Sequence, residues 1–368
     1  MKVNEEYSWR YYQIGDEKLI VEHLKSSFGI WPNFDLVCSA EEHWSWKFLE
    51  NVHKSFICTL AINSGKVIGS QHRLPVNIKI KDNICKGISG VDFSVHPDFR
   101  RRGISKKLTE LTENHDDYAK FKIELAISMN PILIKKRTME GKNFPYEVKR
   151  IIKIRDVNLH IKKKPIENAW IKKTGYSILN LINSFKLKNQ SCETDCSYLL
   201  HQTRIFDVRI EYFWERLKKH YDFIVERSPT YLNWRYCYPR GGNYRVTVVE
   251  ENKSILGYSI LRINNIIDDY PEGFVVDLIS LPDKPGVADL LVSDALSYFD
   301  ENNVNVVRAM CLKDQPFYRK FKEYGFMDIP DEIGLFYNGN KLVKDGINKT
   351  KENNASNLHF VYGDTDWI

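Results

Sequence analysis

The chain has 368 residues, 43% of them hydrophobic and 13% aromatic, enough for the packed cores of two or three domains. Its net charge of +6 is modest for this length, and the residues form neither a dense basic stripe nor a known nucleic-acid fold signature, so no nucleic-acid partner is expected. No run approaches about 18 consecutive apolar residues and the opening MKVNEEYSWRYY lacks the apolar core of a signal peptide, so a soluble, cytoplasmic protein is expected. The seven cysteines are scattered; Cys192-x-x-x-Cys196 is the one close pair and has no His at zinc-site spacing, so free thiols and no metal are expected.

The first element signal is Ser39-Ala40-Glu41-Glu42, a capping box that opens a helix bearing Trp44 and Trp46. Gly90 to Leu108, GVDFSVHPDFRRRGISKKL, then reads as strand, tight basic loop and helix start. Val91, Phe93 and Val95 alternate as a buried strand would, His96-Pro97-Asp98 breaks it, and a helix follows at Ile104 with Leu108 and Leu111 on its apolar side. Amide groups at a helix N-terminus and the positive end of its dipole favour an anion, and Arg100, Arg101 and Arg102 add charge around Gly103. A pyrophosphate fits such a loop. Glu124 lies on a strand expected over 122–128, which ends at Ser128-Met129-Asn130-Pro131. Ile161 to Lys188 is a basic amphipathic helical connector, suited either to packing on a domain or to lying on an anionic membrane. Asn338 to Asn357 is polar and reads as a flexible loop. Leu358 to Tyr362 then alternates like a strand and ends in Asp364, Asp366, Trp367 and the terminal carboxylate of Ile368.

The chain also repeats itself. Glu42-His43-Trp44-Ser45-Trp46-Lys47-Phe48 finds a counterpart in Thr230-Tyr231-Leu232-Asn233-Trp234-Arg235-Tyr236, and Ser228-Pro229 caps the second helix as Ser39 caps the first. Val67-Ile68-Gly69 matches Ile255-Leu256-Gly257 at the same offset of 188 residues, and Val91-Asp92 through Pro97-Asp98 matches Val276-Asp277 through Pro282-Asp283 at 185. The second copy has Pro285-Gly286-Val287-Ala288-Asp289-Leu290 in place of the arginine loop, so it lacks the guanidinium cluster and one backbone donor.

Arg100-x-x-Gly103-x-Ser105, preceded by Val-His-Pro, resembles motif A of the GCN5-related N-acetyltransferases (GNAT), with Ser105 where that family prefers Gly or Ala. Phe317 to Phe326 resembles the Tyr-x-Lys-x-Gly-Phe ending of the family's motif B, and Gly141-Lys142-Asn143-Phe144 stands for its Gly-Phe pair in the first copy. The resemblance implies an α+β (mixed α/β) fold of two tandem GNAT-like domains, each a mixed, mostly antiparallel central sheet flanked by helices. The expected divisions are an N-terminal domain over 1–155, a basic connector over 156–200, a degenerate second domain over 201–340, and a polar loop with a returning strand over 341–368.

The resemblance further implies acetyl-CoA as co-substrate. Its pantetheine would run along Phe93, Ser94 and Val95, with the thioester near a backbone N–H of that strand. Arg100, Arg101, Arg102, Gly103, Ile104, Ser105 and Lys106 would hold the pyrophosphate, and Asn130 would contact coenzyme A. An ammonium acceptor must lose a proton before it attacks. Asp92, Glu124 and the acidic tail are the candidate bases; in tandem acetyltransferases of the Eis type the terminal carboxylate enters the first domain's active site, which puts Asp364, Asp366 and Ile368 on the same list. The phenol that protonates the leaving thiolate in this family is replaced by Arg137, so either Tyr146 substitutes from the next turn or the thiolate leaves unaided.

The tandem layout and the Gly-Asp-Thr-Asp-Trp ending resemble bacterial acyltransferases of surface-polysaccharide biosynthesis, which implies an amino sugar on a nucleotide or lipid as acceptor. The alternatives are an Eis-like enzyme for aminoglycosides or polyamines, which needs an acidic cleft, a Fem-type transferase using aminoacyl-tRNA, and a non-catalytic binding protein.

Overall fold

The two tryptophan helices begin where their caps predict. In the computed structural model, which describes residues 7–163, 197–267, 269–350 and 355–367, the Ser39 hydroxyl accepts from the Glu42 amide and the Glu42 side chain answers the Ser39 amide, opening helix Ala40–Phe48. Ser228 likewise accepts from the Tyr231 amide, opening the turn Pro229–Leu232 that continues over Asn233–Cys237. The connector from 164 onward and the Cys192/Cys196 pair lie outside the described residues. No helix among the described residues is long and apolar enough to cross a membrane.

Among the described residues, fourteen strands form two seven-stranded sheets, mixed and mostly antiparallel, flanked by helices. The first sheet runs β1 (Ser8–Tyr11), β2 (Ile57–Asn63), β3 (Lys66–Ile80), β4 (Asn83–Val95), β5 (Ile123–Ser128), β14 (Gly334–Gly339), and β8 (Phe223–Val225) extends it by pairing with the far end of β3. The second runs β13 (Met327–Asp328), β6 (Val148–Ile154), β12 (Val306–Leu312), β11 (Glu272–Ser280), β10 (Ser254–Asn264), β9 (Arg245–Glu251), β7 (Leu199–Thr203). Each copy therefore sends its last strand into the other copy's sheet. β6 pairs antiparallel with β12, and β14 pairs antiparallel with β5. The sheets accordingly do not divide at residues 155 and 340, because β6 lies in the second sheet and β14 in the first.

At the centre of the repeat, Trp46 and Trp234 stack on each other with centroids 5.0 Å apart and planes 22° off parallel. Trp46 Nε1 donates to the Trp234 carbonyl at 3.2 Å and Trp234 Nε1 donates to the Trp46 carbonyl at 3.3 Å. This reciprocity is that of a local two-fold axis relating the copies.

The stretch expected to be a polar loop over 338–357 is partly helical. Val343 and Ile347, one turn apart, are buried on helix Lys341–Thr350, so two apolar residues at i, i+4 spacing suffice to dock an otherwise polar segment. The strand expected over Leu358–Tyr362 is also different. Leu358 bridges Phe223 and Val361 bridges Cys311, but all five residues are buried, so the segment threads between the sheets instead of presenting one wet face.

Because the sheets share strands and the tryptophan pair spans the copies, denaturant unfolding should show one cooperative transition for the whole chain. Trp46→Ala or Trp234→Ala should each lower stability by about 3–5 kcal/mol, with the double variant losing less than the sum. Two separate transitions in the parent protein would contradict this account.

Candidate active site

The site begins with a register fault in β4. Ser70 pairs with Ser94 and His72 with Val91, so two residues of β4, Asp92 and Phe93, oppose the single Gln71 of β3. Asp92 adopts φ +45°, the left-handed conformation that such a bulge needs and that Asp tolerates better than most residues. The bulge reverses the side-chain parity. Val91 joins the main core, whereas Phe93 and Val95 pack on the opposite face with Ile104 and Leu108, contrary to the single buried face that their alternation predicts.

β4 and β5 run parallel and paired only as far as Gly90 and Ala126, then part. The gap opens a cleft of about 1300 Å³ whose wall includes the exposed edge of Phe93, Ser94 and Val95. The Ser94 hydroxyl itself turns inward to His23 at 2.9 Å, leaving its backbone to the cleft.

The basic loop closes one end. Gly103, at φ +77°, precedes helix Ile104–Glu113 and no side chain caps its first amides. Arg100, Arg101 and Ser105 reach the cleft. Arg102 does not; it donates to the Tyr7 hydroxyl and the Asp98 carbonyl and lies over the Phe99 ring. Ile104 is buried as the helix's anchor, and Lys106 faces solvent near Glu110. Asn130 lies on the wall, where its side-chain oxygen caps helix Pro131–Met139 through the Ile132 and Leu133 amides.

The tail reaches this cleft through the second copy. β11 and β12 also part, after Phe274 and Arg308, and the chain around Val361 occupies that gap: Val361 bridges Cys311, and a Cβ on Gly363 would collide with the Tyr236 hydroxyl and come within 3.2 Å of the Val276 carbonyl. A buried network ties it down. Arg227 bridges Asp277 at 2.9 Å and Asp364 at 2.8 Å, while His359 and the Tyr258 hydroxyl meet Asp277 at 3.1 and 2.9 Å. Burial opposes the charge of Asp277, but Arg227 and His359 outweigh it and hold its carboxyl down at about 2. Asp364 is thus an ion-pair partner of Arg227, off the cleft, and does not meet the bulge.

Asp366 does. Its carboxylate accepts from the Asp92 amide at 3.3 Å and faces Lys47 Nζ at 3.4 Å; Lys47 in turn donates to Asp92 at 2.6 Å, and Trp31 Nε1 donates to the other Asp92 oxygen at 2.7 Å. Burial pushes the Asp366 carboxyl above the ordinary carboxylate range; Lys47 opposes the shift and the charge of Asp92 adds to it. Glu124 lies across the cleft with Arg73 at 2.9 Å and the Tyr118 hydroxyl at 2.7 Å. Burial works against its charge, but Arg73 and Tyr118 hold it below the usual range, as befits a fixed counter-ion. The Tyr146 hydroxyl donates to the Thr350 carbonyl at 2.7 Å, away from the cleft wall. Ile368 lies outside the described residues.

Lys47, Trp31 and Arg73 enter the site without having been singled out in the sequence, as do Arg150, Asn264, Tyr270, Glu272, Phe274 and Arg308 of the far wall. For Lys47 a signal existed: a cation follows the tryptophan in both copies, as Lys47 and Arg235. Among the described residues no cluster of three His, Cys, Asp or Glu side chains could hold a metal ion.

A bulged, splayed strand feeding an uncapped helix behind a basic glycine turn defines the class: this is an acyltransferase, and residues 8–131 match the family described as Acetyltransferase (GNAT) domain. Solved structures share the fold over most of the chain. A GCN5-related N-acetyltransferase from Anabaena variabilis is 12% identical, with 90% of this chain and 72% of that chain covered and a TM-score of 0.59. The tandem GNAT protein from the clavulanic acid biosynthesis pathway is 13% identical over 91% of this chain and 98% of that one, at 0.59. Saccharomyces cerevisiae N-myristoyltransferase, solved with myristoyl-CoA, is 10% identical over 92% and 81%, at 0.62. At these identities the likeness is one of fold. No curated protein matches the sequence.

Proposed function

We propose that the chain transfers an acetyl group from acetyl-CoA to the amine of an amino sugar, carried on a nucleotide or a lipid, in the cytoplasmic assembly of a surface polysaccharide. The observation that carries the catalytic half of this reading is the Asp366 carboxylate lying against the bulge of β4, inside the cleft that the basic helix start closes.

The residues present fit coenzyme A. The uncapped amides beyond Gly103, beside the cleft-lining Arg100, Arg101 and Ser105, are donors of the kind a pyrophosphate satisfies, with the Arg100 Nε held on the Val95 carbonyl at 3.1 Å. The edge of Phe93 to Val95, left unpaired where β5 diverges, is the strand along which an amide-bearing pantetheine would lie. Bound coenzyme A supplies the acyl group as a thioester. An amide of the bulged strand polarises the carbonyl, and Asp366 takes the proton of the attacking amine; a carboxylate raised by burial is a better base for this than an ordinary one. The amine nitrogen forms the new C–N bond, the C–S bond breaks, and the thiolate leaves unaided, since Tyr146 is engaged elsewhere.

The lining of the cleft supports the acceptor class. Its charges are matched internally, Arg73 with Glu124, Arg308 with Glu272 at 3.2 Å and Arg150 with Asp331, and Tyr270, Phe274 and Trp367 stand among them. Fixed polar groups beside aromatic faces suit a sugar. A polycationic aminoglycoside or polyamine would need an acidic cleft, whereas eight Lys and Arg side chains line this one against four carboxylates. A Fem-type donor, aminoacyl-tRNA, leaves the pyrophosphate loop unexplained.

Three measurements test this. Calorimetry should give one coenzyme A site per chain; Gly103→Asp should abolish it, since it puts a carboxylate and a strained φ at the helix start, while Gly286→Asp, in the second copy, should leave affinity unchanged. Asp366→Asn should lower kcat by about 10²-fold or more with little change in coenzyme A affinity. UDP- and dTDP-linked 3-amino and 4-amino sugars should release free thiol from acetyl-CoA where aminoglycosides and polyamines do not; the reverse pattern would overturn the acceptor assignment.

A further inference from the structure

The reaction as proposed leaves one buried charge unassigned. Lys47 is 4% exposed, and its ammonium sits between two carboxylates that arrive from opposite ends of the chain, Asp92 on the bulge and Asp366 on the tail. The other charged or titratable groups around it are spent or neutral. Burial, with Lys47 and other cations nearby, lowers both His72 on β3 and His43 on the tryptophan helix to about 3, so both rings are neutral near pH 7. Each ring also has a polar partner: His72 accepts from Trp44 Nε1, and His43 Nδ1 lies 2.7 Å from the Arg240 carbonyl. Arg235 gives its guanidinium to the carbonyls of Gly363 and Thr365, and Arg73 is paired with Glu124.

One cation between two anions can match only one of them. Asp92 is the nearer, at 2.6 Å against 3.4 Å, and Trp31 fixes its second oxygen, so Asp92 is the standing partner and Asp366 the carboxylate left under-compensated. The repeat gives the same residue a second meaning. Arg235, its counterpart, holds the tail at Gly363 and Thr365, and Lys47 holds the next residue, so the two related cations grip consecutive points of one strand of chain.

We propose that Lys47 is the positioning residue of this reaction: clamped by Asp92, it draws the Asp366 carboxylate onto the bulge and keeps it ionised there. This rests on Asp366 as the base. Without Lys47, two buried carboxylates would face each other across the bulge, and Asp366 would keep its proton to higher pH. Without the charge of Asp92, Lys47 would serve Asp366 alone, and the proton would leave earlier.

The test is the pH dependence of kcat/KM with one amine acceptor throughout. Lys47→Met should move the acidic limb up by about one pH unit or more, a loss of about tenfold at a pH below the limb, regained on raising the pH. Asp92→Asn, which suits the left-handed backbone, should move the limb the opposite way, and Lys47→Arg should keep it near the parent's. A structural role alone would lower the rate at every pH and move neither limb. Should Lys47→Met fail to fold, Asp92→Asn and Lys47→Arg carry the same contrast. Limbs unmoved in these variants, with Asp366→Asn inactive, would overturn the role of Lys47 alone; a fully active Asp366→Asn enzyme would overturn the base assignment and this proposal together.

Discussion

The rest of the molecule hangs on the exchange between Trp46 and Trp234. Two indoles that stack and trade hydrogen bonds with each other's carbonyls fix the relation of the copies to within the tolerance of a hydrogen bond. From that relation follows the gap between the sheets, its depth, and which residues of the second copy face the first. The cleft has a far wall at all because β11 and β12 are held opposite β4 and β5. A single copy would offer the bulge and the basic turn but no enclosure and no Asp366 against the bulge.

The second copy has not been emptied so much as turned to another use. Where the first copy leaves its parted strands open, the second fills the same gap with Val361 and its neighbours and seals it with Arg227, Asp277 and His359. The position that carries Asp92 in one copy carries Asp277 in the other, and both bear a carboxylate beside a buried cation. In the first that pair meets the end of the tail; in the second it anchors the tail's middle.

What could be read from the sequence was what local chemistry dictates. The caps at Ser39 and Ser228, the glycine turn at Gly103, the repeat offset and the acidic end of the chain are each legible because a few adjacent residues determine them. The bulge escaped, since one extra residue in a strand leaves the hydrophobic pattern looking regular while moving Phe93 and Val95 to the other face. So did the choice between Asp364 and Asp366. Two residues apart on an irregular tail, they are separated only by the partner each meets, Arg227 or Lys47, and those partners come from distant parts of the chain. Helix Lys341–Thr350 hid behind a polar composition that two buried residues overrule.

The crossing of β6 and β14 has a consequence for how the protein comes to exist. The first sheet ends in a pairing of Ser128 with Gly334, a separation of roughly two hundred residues, and contacts so distant in sequence form slowly. On the ribosome, the N-terminal half must wait with the edge of β5 uncovered until nearly the whole chain has emerged, and its own β6 must wait for β12. Neither half can be shuffled, duplicated or trimmed in evolution without stripping a strand from the other. The two copies are therefore heritable only as one unit.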